Sequence, residues 1–231
     1  MRGLFVTATD TGVGKSVLSA ALLAAMHAAG RPVAAYKPVL TGGEEPPEGA
    51  WPADDELLAL AAGMDPESVA PLRFGPAVSP HLAAQLSGAT IDPRALLAEA
   101  ERLAATRGGA IVVEGVGGLL VPLAEDYLVR DLAVALALPV LIAARPGLGT
   151  INHTLLTLQA ARAAGLEVPA VVLTPWSDEP DELERSNRET IAALGEIQVA
   201  GLPHVADADR ALLADAAEAL PWRSWWDASG T

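Results

Sequence analysis

A short apolar run, Leu4 to Ala8, passes through Thr9-Asp-Thr-Gly-Val-Gly-Lys-Ser16 directly into an Ala- and Leu-rich segment that continues to Ala29. A buried strand, a glycine loop and a helix in that order restrict the chain path severely, because the helix has to pack back on the sheet and lead to another parallel strand. The same rhythm continues. Val33–Lys37, Ile111–Glu114, Val140–Ala144, Ala170–Thr174 and Ile197–Gly201 read as short buried strands, rich in β-branched residues. Val129–Leu138, Asn152–Ala164, Asp181–Leu194 and a last segment from Asp209 read as helices. This alternation predicts an α/β fold with a mostly parallel sheet and helices on both faces. There is no internal repeat. The Pro/Gly/Glu stretch Gly42–Pro52 reads as a polar loop between elements, since the rhythm resumes beyond it, so residues 1–231 are expected to form one domain. The tail from about residue 221, PWRSWWDASGT, reads as irregular, with three tryptophans that cap a core or an interface.

Composition narrows the functional classes. The 231 residues are 51% hydrophobic, enough for a sizeable core. Fifteen Lys and Arg against 29 Asp and Glu give a net charge of −14, which argues against a surface that tracks nucleic acid or anionic lipid. An anionic substrate then requires a locally positive pocket. The absence of cysteine excludes disulfides, thiolate metal sites and a Cys nucleophile. No basic n-region precedes an apolar run, and no apolar stretch reaches the ~18 residues of a membrane span, so a cytoplasmic protein is expected.

In a parallel sheet, ligands gather at the carboxyl ends of the strands. Gly12 and Gly14 would let backbone N–H groups approach phosphate oxygens, aided by the helix that follows. Lys15 would reach the outer phosphates, and the Ser16 hydroxyl would ligate Mg²⁺. Gly12, Val13, Gly14, Lys15, Ser16 and Val17 are therefore the expected nucleotide cradle of a single-domain P-loop NTPase-like fold. The plain alternative is an ordinary glycine turn into a helix.

The motifs VTATDTGVGKS, YKPVLTG, PADDELLAL, SPHLAA, VEGVGGLLVPL and LGTINHTLLTLQ occur here in an order and spacing that resembles dethiobiotin synthetase, from Phe5 to about His204. That resemblance implies an ATP-dependent ligase of biotin biosynthesis, joining 7,8-diaminopelargonate and CO₂ at the expense of a nucleotide triphosphate. It implies a carbamate that attacks the γ-phosphate, then ring closure as phosphate leaves, and a homodimer with active sites at the interface. Lys15, Lys37 and Thr11 take the catalytic positions; Ser16, Asp54 and Glu114 would hold Mg²⁺, with Asp55 a competitor for the Asp54 place. Plainer readings stand beside these: Lys37 pairing with a carboxylate, and Asp54 as a solvated helix-start residue. Glu114 resists a plain reading, because a carboxylate closing the apolar run AIVVE is costly without a partner. Thr41, Pro80, Gly115, Val116, Gly117 and Gly118 match substrate-side positions, and His81 is either pocket wall or a solvent-facing helix start. Gly149, Thr150, Ile151 and Asn152 match the segment that binds the substrate carboxylate from the partner subunit; helix capping is a compatible role for Thr150 and Asn152.

Two departures stand out. Ala8 occupies a position where the family has glycine, so that position is either extended or strained. Thr174, followed by Pro175, stands where relatives carry an Asn that reads adenine, leaving Pro203, His204 and Val205 to flank the base through backbone groups. The rival reading is a deviant-P-loop partitioning ATPase working on DNA or membrane, disfavoured by the charge and by Ala8–Asp10 in place of a signature lysine. Cobyrinate amidases are a second rival, disfavoured by the missing Cys.

Overall fold

The computed structural model describes residues 1–43 and 51–229. Its elements are β1 (Arg2–Ala8), α1 (Lys15–Ala28), β2 (Ala34–Tyr36), β3 (Leu40–Thr41), α2 (Asp54–Ala62), α3 (Pro66–Val69) and β4 (Arg73–Phe74), followed by α4 (Pro80–Leu86), α5 (Pro93–Ala105) and β5 (Ala110–Glu114). The second half runs β6 (Pro122–Ala124), β7 (Tyr127–Leu128), α6 (Val129–Leu136), β8 (Val140–Ala144), α7 (Thr150–Ala163), β9 (Ala170–Trp176), α8 (Glu182–Gly195), β10 (Gln198–Pro203), α9 (Arg210–Ala217) and α10 (Trp222–Ala228).

The central sheet has six strands in the order β10-β9-β8-β1-β5-β2, and every pair in it is parallel. Side chains alternate across it. Leu4, Val6 and Ala8 face the cluster built by α1, α2, α9 and α10, while Phe5 faces the cluster built by α5, α6, α7 and α8. Strands covered on both faces can be apolar throughout, which is why β1 and β8 read as unbroken hydrophobic runs. After β5 the chain crosses β1 and continues outward from β8, so β1 lies where the strand order reverses. The carboxyl end of β1 opens the crevice in which such sheets bind ligands.

Several boundaries differ from the expectation. The tail is not irregular: Trp222–Ala228 is a helix whose Trp222, Trp225 and Trp226 are buried in the α1-side core, so the core-capping role holds. Arg2 fixes this helix by donating to the Trp226 carbonyl at 2.8 Å and pairing with Asp227. Helix α6 stops two residues early because Ala137, at φ 53, takes the left-handed cap position ahead of Pro139. Helix α7 begins at Thr150, two residues before the expected start, on a Gly149 cap at φ 89. Strand β9 runs on through the cis Thr174–Pro175 bond to Trp176. Strand β10 includes Pro203, which pairs with Trp176 and so does not follow the strand. Helices α2 and α4 were expected only as possible helix starts at Asp54 and His81, and α3, α5, β3, β4, β6 and β7 were not expected, although Asp92 before Pro93 is a capping signal that marks the start of α5. Of the expected Gly42–Pro52 loop, residues 44–50 lie outside the described residues.

Candidate active site

Four elements meet at one buried carboxylate. Glu114 closes β5, Lys15 and Ser16 open α1, Lys37 follows β2, and Asp54 opens α2. Glu114 Oε1 accepts from Lys15 Nζ at 2.7 Å, from Lys37 Nζ at 2.7 Å and from Ser16 Oγ at 2.9 Å. Lys37 Nζ also donates to Asp54 Oδ2. Glu114 and Lys37 are almost wholly enclosed, whereas the Asp54 side chain is 41% exposed. A lone charge at such depth would be untenable; two ammonium groups and two carboxylates sum to zero, and the short bonds keep each charge in place.

Burial opposes every charge in this group, and the neighbours decide which way each pKa moves. For Glu114, Lys15 and Lys37 overcome burial and hold the carboxyl below the usual carboxylate range. Asp54 is likewise held well below it, by Lys37 and then Lys15 against the effect of burial. Burial pulls the Lys37 ammonium down, but Glu114 and Asp54 outweigh it and the net shift is upward. Burial lowers Lys15, Glu114 offsets only part of that, and the like charge of Lys37 adds to the lowering. Lys15 is thus the cation less fully compensated by the protein, as suits a group that meets an incoming anion.

Above this cluster lies a cavity of about 640 Å³. Its walls include Thr11, Gly12, Gly14, Lys15, Ser16 and Val17 from the glycine loop, and Lys37, Thr41 and Asp54 beside them. Pro80, Val116 and Gly117 close the far side. The structure therefore brings together most of the residues singled out in the sequence. It also adds Leu40, Pro52, Leu57 and Val121, apolar positions inside the quoted motifs that were not singled out, and Trp51 and Val78, which lie outside them. Asp54, not Asp55, reaches Lys37; Asp55 is buried and pairs with Arg73 at 2.5 Å.

The remaining candidates stand elsewhere. Val13 is buried in the α1-side core, so only its backbone is available to a ligand. Gly115 is buried, and a Cβ there would meet Val129 at 2.9 Å and Phe5 at 3.2 Å, so its glycine serves packing. Gly118 lies 3.4 Å, measured in the same way, from the Ala8 carbonyl. His81 is neither cavity wall nor fully solvent-facing: it is half-buried in the first turn of α4. Thr174 is buried beneath the glycine loop, where a Cβ on Gly14 would approach its Cγ2 at 2.9 Å and its Oγ1 at 3.1 Å. Pro203 ends β10 and His204 follows it, both outside the cavity, and Val205 turns into the core. Gly149, Thr150, Ile151 and Asn152 also lie outside it, at the start of α7, with Asn152 exposed.

The loop has the backbone needed to cradle anions. Gly12 and Gly14 adopt φ 68 and 91, a left-handed region that side chains other than glycine adopt poorly. Helix α1 starts on Gly14 with no side-chain cap and no acidic residue in its first turn, so its leading N–H groups are open to a ligand. Ala8 remains in the extended end of β1 and carries no positive φ, which resolves the question raised by its departure from glycine. Among the described residues no three His, Asp or Glu side chains form a metal cage. Oxygen donors do converge: Ser16, Asp54 and Glu114, the last with a buried Oε2 that has no hydrogen-bond partner. That donor set fits a hard divalent cation that completes its shell with ligand and water oxygens.

A parallel sheet, a glycine loop at its reversal point and an uncapped helix carrying Lys15 and Ser16 define a P-loop nucleotide-binding protein. A protein-family model described as "AAA domain" matches residues 2–211. ATP-dependent dethiobiotin synthetase of Bacillus subtilis strain 168 is 40% identical over 205 residues, covering 87% of each chain. The enzyme of Anaeromyxobacter dehalogenans strain 2CP-1 is 46% identical over 196 residues, covering 84% of this chain and 86% of its own. That of Anoxybacillus flavithermus is 34% identical over 230 residues, 98% of this chain and 100% of the relative. The chain belongs to the ATP-dependent dethiobiotin synthetases, ligases of biotin synthesis. Solved structures agree on the fold. Cobyrinic acid a,c-diamide synthase of Mycobacterium smegmatis matches with TM-score 0.53 at 17% identity, covering 97% of this chain and 95% of that one. The MinC:MinD cell division complex of Aquifex aeolicus matches with TM-score 0.54 at 14% identity, covering 94% and 86%. No helix among the described residues is long and apolar enough to cross a membrane.

Proposed function

We propose that this protein converts 7,8-diaminopelargonate, CO₂ and ATP to dethiobiotin, ADP and phosphate, in one domain per subunit and in the cytoplasm. The observation that carries the reading is the convergence of Lys15, Lys37 and Ser16 on Glu114 at the floor of the cavity, with Asp54 joined to it through Lys37. One wall of that cavity is a phosphate cradle and the other is the Thr41, Pro80 and Val116–Gly117 side, so a polyphosphate and the diamine end of an amino acid with an apolar chain would meet over two ammonium groups.

A substrate amine takes up CO₂ as a carbamate, whose oxygen attacks the γ-phosphorus as the bond to ADP breaks. The second amine then attacks the carbamoyl carbon, expels phosphate with that oxygen and closes the ureido ring. The chain's own work is positioning and charge. Backbone N–H groups of Gly12–Ser16 hold the phosphates, Lys15 neutralises their outer oxygens, and Lys37 approaches the transferring group from the carbamate side. Thr11, at the loop's mouth, faces the same space. Both lysines are already held in place by Glu114, so little reorganisation is needed when the phosphoryl group moves. Mg²⁺ held by Ser16, Asp54 and Glu114 would supply charge neutralisation at the phosphate oxygens.

The α7 start, Gly149–Asn152, lies outside the cavity of its own subunit, yet its uncapped N–H groups suit a carboxylate. We assign it to the substrate carboxylate of the neighbouring subunit in a homodimer. The partitioning-ATPase reading has no comparable support: the likeness to MinD is one of fold, and the net charge of −14 opposes a DNA or membrane track. The test is incubation with the diamine, bicarbonate, Mg²⁺ and ATP, with dethiobiotin read by mass spectrometry. Dethiobiotin formation only when all four are present is expected; ATP hydrolysis without dethiobiotin sinks the proposal.

A further inference from the structure

Arg145 sits just past the end of β8, the neighbour of β1, so the sheet delivers it to the glycine loop 133 residues away. Its Nη2 donates to the Gly12 carbonyl at 2.9 Å. Among the described residues it has no carboxylate partner, so this contact is not the by-product of an ion pair. The segment that carries it is fixed from within: buried Asn187 donates to the Pro146 carbonyl at 2.8 Å and to the Gly147 carbonyl at 3.1 Å.

The contact bears on the anion cradle through the geometry of one peptide. In a trans peptide the C=O of Gly12 and the N–H of Val13 point in opposite directions. The orientation of that peptide is set by ψ of Gly12, which glycine leaves unusually free, together with φ of Val13, and rotation about the two would turn it over. Such a flip would aim the carbonyl oxygen at the phosphates and withdraw the Val13 N–H. The charge-assisted bond from Arg145 holds the oxygen on the outer side. We infer that Arg145 is a positioning residue that locks the Gly12–Val13 peptide with its N–H turned toward the nucleotide phosphates. The inference rests on reading Gly12–Ser16 as the triphosphate cradle.

Calorimetric titration with the β,γ-imido analogue of ATP and Mg²⁺ tests it on the wild type, Arg145→Ala and Arg145→Lys. Arg145→Ala is expected to weaken binding about tenfold, ~1.4 kcal/mol. Inorganic tripolyphosphate should lose affinity by a similar factor, because the defect lies in the cradle and not at the base. The KM for the diamine should stay within about twofold, and Arg145→Lys, which keeps a charged donor, should recover part of the loss. Arg145→Gln replaces the Ala variant if that one unfolds. Affinity within twofold of wild type in the Ala or Gln variant overturns the inference, as does a loss for the ATP analogue without one for tripolyphosphate. A wild type that binds neither ligand overturns the cradle reading itself.

Discussion

Replacing Lys37 with Met separates the catalytic from the structural role of the charge cluster. Lys37 Nζ bridges Glu114 and Asp54. Without it, Glu114 keeps Lys15 and Ser16 as partners, so the buried carboxylate is not stranded. The loss falls on Asp54, and a side chain 41% exposed is hydrated by water instead. That places the stability cost near the range of exposed ion pairs, ~1 kcal/mol or less, and Met fills most of the vacated volume. At the transferring phosphoryl group no water can substitute for a preorganised cation. Removing such a donor costs ~10²–10³ in kcat, ~2.7–4 kcal/mol. The variant should melt within a few degrees of wild type, bind the ATP analogue within about threefold, and turn over at least ~10²-fold more slowly in a dethiobiotin assay. Near-normal kcat would refute the placement of Lys37 over the reaction. A loss of nucleotide affinity as large as the loss of kcat would refute its separation from the role of Lys15.

Glu114→Gln leaves two enclosed ammonium groups with Asp54 alone, and calorimetric unfolding should register a loss of ~3–5 kcal/mol, larger than for Lys37→Met. Because Glu114 and Asp54 have depressed pKa values, the stability they confer in the wild type is complete above the ordinary carboxylate range and disappears as pH falls below it. Lys37, with its pKa raised, adds stability that is complete below the ordinary lysine value and lost in strong alkali. Unfolding titrations of the Gln variant should accordingly have a shallower acid limb; an unchanged limb would contradict the charge-cluster assignment. Mixing inactive Lys37→Met subunits with inactive Asn152→Ala subunits should restore activity, since a hybrid dimer has one site free of both defects; no recovery after proven exchange would remove the cross-subunit carboxylate site. On the proposal that Thr174 stands at the base, one hydroxyl replaces an amide that would pair with adenine, so CTP and GTP should support turnover within about tenfold of ATP, ~1.4 kcal/mol. A preference of several hundredfold for ATP would move base reading to the backbone near Pro203–Val205.

The parts of this architecture that could be read from the sequence are those encoded locally. Strands buried on both faces announce themselves as β-branched runs, and Glu114 was conspicuous because an apolar strand rarely ends in an enclosed carboxylate without a partner. Lys15 was marked by the glycine loop and Glu114 by its strand end, while the site role of Lys37 came from the family resemblance. Helix α10 was hidden because WRSWWDA holds only Arg223 and Ala228 as strong helix formers and is ordered by packing on α1-side core residues and by Arg2, near the other end of the chain. The true start of α7 was masked by Gly149, which reads as loop but serves as its left-handed cap. Asp54 and Asp55 are adjacent, and only the fold decides that one faces Lys37 and the other Arg73. Arg145 had no local signal at all, since its partner Gly12 becomes a neighbour only when β8 lies beside β1.

The central claim, that carbamate oxygen attacks the γ-phosphate within this cavity, is tested most directly by following that oxygen. A single turnover with freshly dissolved bicarbonate labelled with both ¹³C and ¹⁸O should place ¹³C in the ureido carbonyl of dethiobiotin and one ¹⁸O in the released phosphate. Phosphate free of ¹⁸O, formed at the same rate whether or not the diamine is present, would mean that water is the nucleophile and would contradict the account.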